Sequence, residues 1–243
     1  MIDNTIDCKN CNTVITDKFC SNCGQPKTLK RVDGHYVSHE IQHLLHLEKG
    51  ILFTIKELLI RPGKNVREYI AENRSRLVKP VIFIIITSLI YSTINHFFHI
   101  EAGYVDYKGD KNSATTHIFT WVENHYGYAN ILMGVFIAMW LKVFFRKQQY
   151  NFFEILILLC FVMGMGMLIY AIFTIAQGLL KVSLMQIAGA IGIAYCCWAI
   201  AQFFNIKKIS GYIKSIAAYL LGMLTFVLAA QLLGFLIDLV IKH

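Results

Sequence analysis

Five apolar runs decide what this chain can fold into. They cover roughly residues 81–100, 129–146, 153–179, 182–204 and 215–241. Each is long enough to cross about 30 Å of hydrocarbon at about 1.5 Å per residue. A bilayer offers no water to satisfy peptide groups, so runs of this length read as helices. Polar connectors separate them: "EAGYVDYKGDKNS", "RKQQYN", a short turn at Lys181, and "NIKKISGYIK". With 56% hydrophobic and 16% charged residues over 243 positions, the chain is too apolar for a soluble domain. The polar residues concentrate before Val81. The start, "MIDNTIDCKN", has neither a basic n-region nor an apolar h-region, so no cleaved signal peptide is expected.

Charge gives an orientation. The head before Val81 carries 13 Lys and Arg. The loop after the first run has only Lys108 and Lys111 against Glu101, Asp106, Asp110 and Glu123. Lys142, Arg146 and Lys147 surround the next connector, Lys181 stands alone in the third, and Lys207, Lys208 and Lys214 mark the fourth. This alternation predicts a cytoplasmic N-terminus and an outside C-terminus in the inner (cytoplasmic) membrane.

Within the runs, ionisable groups keep to the ends, as Lys142, Glu154 and Asp238 do. An ion-coupled transporter needs such groups at membrane depth, so that class is disfavoured. Gln177, Gln186, Gln202 and Gln231 are expected to hydrogen-bond between helices. Cys160, Cys196 and Cys197 read as small core residues. Gly164 and Gly166 could kink their run or admit a close neighbour. Ala188 with Gly192, Ala190 with Ala194, and Ala230 with Gly234 have the four-residue spacing of tight helix contacts, within one bundle or in a homo-oligomer.

The head contains "CKNCNTVITDKFCSNCG": two Cys-x2-Cys knuckles eight residues apart. Four thiolates at this spacing suit one tetrahedral Zn2+ held by Cys8, Cys11, Cys20 and Cys23. Reduced cytoplasmic thiols argue against disulfides, and Gly24 suits a turn with positive φ. A segment this short builds little core, so the metal would supply most of its folding energy. A closed four-cysteine set is structural rather than catalytic. Residues 1–30 are therefore expected to form a zinc ribbon. Its lysines are offset by aspartates, so no nucleic-acid partner is expected and a cytoplasmic protein partner is.

Residues 31–80 read as amphipathic juxtamembrane helices. One or two are expected over 35–60, stopped at Pro62-Gly63, and another over 65–78 with Val66, Tyr69, Ile70 and Leu77 on one face. Arg61, Lys64, Arg67, Arg74, Arg76 and Lys79 face only Glu68 and Glu72, a net +4 beside a membrane. A basic amphipathic helix there is expected to lie on anionic lipid headgroups.

The stretches "FCSNCGQ", "HEIQHLLHLEKGILFTIKELLIRPGKNVREYI" and "NRSRLVKPVIF" together resemble an uncharacterised family of bacterial integral membrane proteins with an N-terminal zinc ribbon, known only as a domain of unknown function. The resemblance covers most of residues 8–90 and implies no established activity. The layout of five spans after a cytoplasmic head is also similar to the Yip family of membrane-trafficking proteins, whose short motifs this chain lacks.

Inside the second stretch, His39-Glu40-Ile41-Gln42-His43 fits H-E-x-x-H, in which two histidines one helical turn apart ligate zinc and the glutamate is the general base. On a helix, His35, His39, His43 and His46 share an arc of about 80°, opposite Val37, Ile41, Leu44 and Leu45. The metzincin continuation is missing, no Asn-Pro segment occurs, and the candidate third ligands Glu57 and Glu68 have nothing to mark them. The stripe therefore reads first as a polar helix face, then as a pH-responsive or non-catalytic metal patch, and last as a zinc protease site.

The chain is thus expected to be an all-α polytopic membrane protein: zinc ribbon 1–30, juxtamembrane helices 31–80, five-helix transmembrane domain 81–243. Its expected role is non-enzymatic, in interaction or membrane organisation. The alternative is a membrane-bound zinc metalloprotease using His39, Glu40 and His43.

Overall fold

Two prolines set helix starts in the computed structural model of the chain, which describes residues 6–8, 11–24, 50–98, 113–205 and 209–241. The chain divides into two compact units, Met1–Leu44 and Leu45–His243. In the first, strands β1 (Ile6–Asp7) and β2 (Val14–Ile15) pair antiparallel, with Ile6 opposite Ile15 and Asp7 opposite Val14. Cys8, Ile15 and Cys20 form its small buried cluster.

In the second unit the described residues form eight helices: α1 (Gly50–Ile60), α2 (Pro62–Ala71), α3 (Pro80–Phe97), α4 (Ala114–Asn124), α5 (Tyr126–Phe144), α6 (Phe152–Leu180), α7 (Met185–Phe203) and α8 (Ile209–Ile241). Helices α3, α5, α6, α7 and α8 are long and apolar enough to cross a membrane, and they fall on the five apolar runs. The chain is a multi-pass helical membrane protein.

Helix α6 is the most buried span and α8 the least. Helices α3, α5 and α7 all pack on α6. The start of α6 is held by a capping box: Glu154 N–H donates to Asn151 Oδ1 (2.9 Å) and Asn151 N–H donates to Glu154 Oε2 (2.7 Å). That explains a carboxylate at the end of an apolar run, because it satisfies amide groups the helix cannot. Lys181 ends the helix in the left-handed conformation, φ 55°. The helix runs unbroken through Gly164 and Gly166. A side chain at 164 would collide with the Phe83 ring, so this glycine admits α3 rather than bending α6. Cys160, Cys196 and Cys197 are buried in the apolar core.

Two elements differ from the sequence reading. Helix α1 ends at Ile60, just before Pro62-Gly63, as the sequence predicts; but Pro62 also begins α2, three residues earlier than Asn65, because there its missing N–H is no loss and its φ is already helical. The helix then ends at Ala71 rather than Val78. Asn73 Oδ1 accepts from Ser75 N–H (2.9 Å) and Ser75 Oγ (2.6 Å), so this side chain competes with helix continuation and turns the chain. Leu77 and Val78 are buried beyond the turn, with Val78 N–H donating to Thr54 Oγ1 of α1 (3.1 Å).

The second difference is α4, which lies in a stretch the apolar runs leave unassigned. Ser113 caps it by accepting from Thr116 N–H, and Asp238 Oδ1 on α8 accepts from Ala114 N–H at 2.8 Å. Gly234 of α8 has no side chain because the backbone of Thr115 occupies that space. Ala230 is buried on α8 as well. The Ala230–Gly234 pair thus lies on the buried side of α8, with Gly234 against α4.

Candidate metal centre and juxtamembrane clamp

Each cysteine knuckle is closed by the same backbone bond. Asn12 N–H donates to Cys8 C=O (2.8 Å), and Gly24 N–H donates to Cys20 C=O (2.9 Å). In each case the residue four positions after the first cysteine is left-handed, with φ 55° at Asn12 and 74° at Gly24. Asparagine and glycine are the residues that visit this region at least cost. Cys8 N–H also donates to Thr13 C=O (3.0 Å), holding the first knuckle against the β1–β2 ladder.

The four sulfurs converge. Cys8 and Cys23 Sγ are 3.5 Å apart, Cys11 and Cys20 Sγ 3.5 Å, and Cys11 and Cys23 Sγ 3.4 Å. All four lie within 4.8 Å of one another. A tetrahedron of sulfurs about 2.3 Å from a metal has edges of about 3.8 Å, so one ion within reach of all four fits this spacing. Cys8 and Cys20 are buried, Cys11 half-buried and Cys23 exposed. The Cys11 thiol is drawn down to about 6, first by the Thr13 hydroxyl 3.3 Å away and then by the Thr13 backbone, with burial opposing. Thiolate is the form that binds metal, so Thr13 favours coordination. The spacing of the cysteines signals the ligands and Gly24. It does not signal Asn12 or Thr13, whose roles depend on the folded turn.

The basic juxtamembrane residues divide into two groups. Arg67 and Arg76 are engaged within the protein, whereas the other four are exposed, Lys64 pairing from its exposed position with Glu68 at 3.5 Å. Arg67 Nη1 donates to the Gln202 and Phe203 carbonyls, the latter at 2.8 Å, and so places a cation on the carbonyl end of α7. Beside it, Gly63 N–H donates to Gln202 Oε1 (2.7 Å), and a side chain at 63 would overlap the Phe203 backbone. Val66 and Tyr69 are buried in the core, with Tyr69 edge-on to Phe161 of α6 at 5.3 Å. The apolar face of α2 therefore packs on the spans. Arg76 sits between two carboxylates, at 2.6 Å from Glu57 Oε2 and paired also with Glu68 Oε2. Arg61, Lys64, Arg74 and Lys79 are exposed. An open recess of about 280 Å³ lies among Glu57, Ile60, Arg61, Lys64, Asn65, Glu68 and Arg76.

His35, His39, Glu40, His43 and His46 lie outside the described residues. Glu57 and Glu68, the carboxylates considered as a third ligand for them, are both bound to Arg76. Among the described residues, the four cysteines form the one cluster suited to a metal ion.

A family described as "Protein of unknown function (DUF3667)" matches residues 48–92, less than a fifth of the chain. That segment holds α1, α2, the turn carrying Arg76 and most of α3. No curated protein and no solved structure matches the chain.

Proposed function

We propose that the protein is a non-enzymatic interaction or membrane-organising protein with a structural zinc ribbon on a five-helix membrane domain. The observation that carries this reading is the convergence of four cysteine sulfurs within 4.8 Å. Thiolate is a soft ligand, and four of them in a reduced compartment favour zinc over the hard cations. Four protein ligands leave no position for a substrate or an activated water, so the metal would fold the head and present a surface rather than react. In this reading the ribbon faces the cytoplasm of a bacterial cell and meets a protein partner. The chain enters the inner membrane with its C-terminus outside. The four exposed cations Arg61, Lys64, Arg74 and Lys79 meet anionic headgroups, while Arg67 and Arg76 hold the helices that carry them.

Metal counting on the purified full chain tests the reading. One zinc per chain is expected, lost in Cys20→Ser and kept in His39→Ala. Two zincs, one of them dependent on His39 and His43, would overturn it in favour of the metalloprotease. Proteolysis abolished by Glu40→Gln with metal retained would then establish the general base.

A further inference from the structure

Three of the four glutamines within the spanning helices have a local explanation. Gln177 Oε1 accepts from Leu184 N–H and closes the turn between α6 and α7. Gln202 Oε1 accepts from Gly63 N–H. Gln186 lies exposed in the first turn of α7, at the N-terminal end of that span. Gln231 has no such account. It makes no hydrogen bond among the described residues, and it is exposed on α8. Lys214 and Asp238 are the charged residues that bound the apolar stretch of α8, and they are about 36 Å apart along the helix. Gln231 is five residues from their midpoint, or about 8 Å, well inside a hydrocarbon half-thickness of about 15 Å. A primary amide there carries two donors and an acceptor into a medium that can satisfy none of them.

The surroundings of Gln231 form a seam. Leu220, Leu224, Leu228 and Phe235 are exposed on the same side of α8, and with Gln231 they fall within an arc of about 80°. Their spacing of four, four, three and four residues is the pattern of a helix that packs lengthwise on another helix, with one polar position in an apolar stripe. The buried Gly234 and Ala230 mark the side of α8 turned toward the protein, so this seam is a separate surface.

We propose that the seam is a homodimer interface, in which α8 packs on α8 of a second copy and the two Gln231 amides bond to each other. The chemistry selects this occupant. Two copies inserted with the same topology are related by an axis along the membrane normal, so residue 231 meets residue 231 at the same depth. A primary amide is self-complementary: each donates one N–H to the other's carbonyl, and both desolvated groups are satisfied at once. Other unpartnered atoms among the described residues, Ser88 Oγ, Asn95 Oδ1 and Asn130 Nδ2, are buried inside the chain and cannot recruit a second one.

The test uses the full-length protein in lipid bilayers. Dimer affinity is measured by single-molecule photobleaching or energy transfer across a range of dilutions in lipid. Gln231→Leu is expected to weaken the dimer by about three- to thirtyfold, the range of interhelical side-chain bonds in membranes. Gln231→Asn, which keeps the amide, is expected to restore most of the affinity. Leu224→Cys, at the centre of the seam, is expected to cross-link between chains, whereas Leu233→Cys, exposed on the far side of α8, is not. The leucine substitution adds apolar surface on a lipid-facing position, and an unchanged zinc content and unfolding midpoint confirm that it folds. A monomeric wild type, a Gln231→Leu dimer as tight as wild type, or cross-linking of Leu233→Cys equal to that of Leu224→Cys overturns the proposal.

Discussion

Arg76 holds two carboxylates that would otherwise face each other. Its guanidinium bonds Glu57 on α1 and Glu68 on α2, and all three groups are partly shielded from water. Arg76→Ala leaves Glu57 without its cation and Glu68 with only the exposed Lys64, 3.5 Å away, and is expected to cost about 1–3 kcal/mol. A lowered unfolding midpoint of the detergent-solubilised protein checks this, and adding Glu68→Gln should recover part of the loss because it removes the repulsion. From the sequence, the six cations of residues 61–79 are legible as a net charge beside a membrane. Which of them pair is not legible, because Arg76 reaches Glu57 only after the chain turns at Asn73. The metal residues divide the same way. Cysteine spacing reveals the four sulfurs, whereas Asn12 acts through its backbone angle and Thr13 through a hydroxyl placed by the hairpin.

Helix α2 shows how an element can be read correctly in character and wrongly in extent. Its apolar face is plain from Val66, Tyr69 and Ile70, but a periodic pattern continues through Leu77 while the helix stops at Ala71. The pattern persists because Leu77 is buried too, from a turn rather than a helix. Periodicity also does not say what covers an apolar face, and here the spans cover it. Helix α4 escapes because it is short and weakly apolar, and its N-terminus is completed by Asp238 on a helix 124 residues away. Close contact at the start of α2 makes a firm prediction. Gly63→Ala drives a methyl group into the Phe203 backbone, which cannot swing aside as a side chain can. Such overpacking costs about 1–3 kcal/mol. Hydrogen exchange should show residues 62–71 losing protection while α6 keeps its own.

At the scale of the whole molecule, five helices among the described residues are long and apolar enough to cross a membrane, and all five crossing would put the two ends of the chain on opposite sides. The hydropathy of the runs makes this the most legible property of the sequence, since five helices fall where five runs predict them. Lysine and arginine counts then predict which end stays inside. A reporter active only in the cytoplasm should work at the N-terminus and stay silent at the C-terminus, and a bright C-terminal signal would revise both count and orientation. The clamp between α2 and α7 adds a constraint in time. Gly63 and its acceptor Gln202 are 139 residues apart. At about 5–20 residues per second, α2 leaves the ribosome roughly 7–30 s before α7 exists to receive it. During that interval the face carrying Val66 and Tyr69 has only the headgroup layer or a chaperone to cover it. The juxtamembrane segment, made early, is therefore among the last parts of the protein to reach its final place.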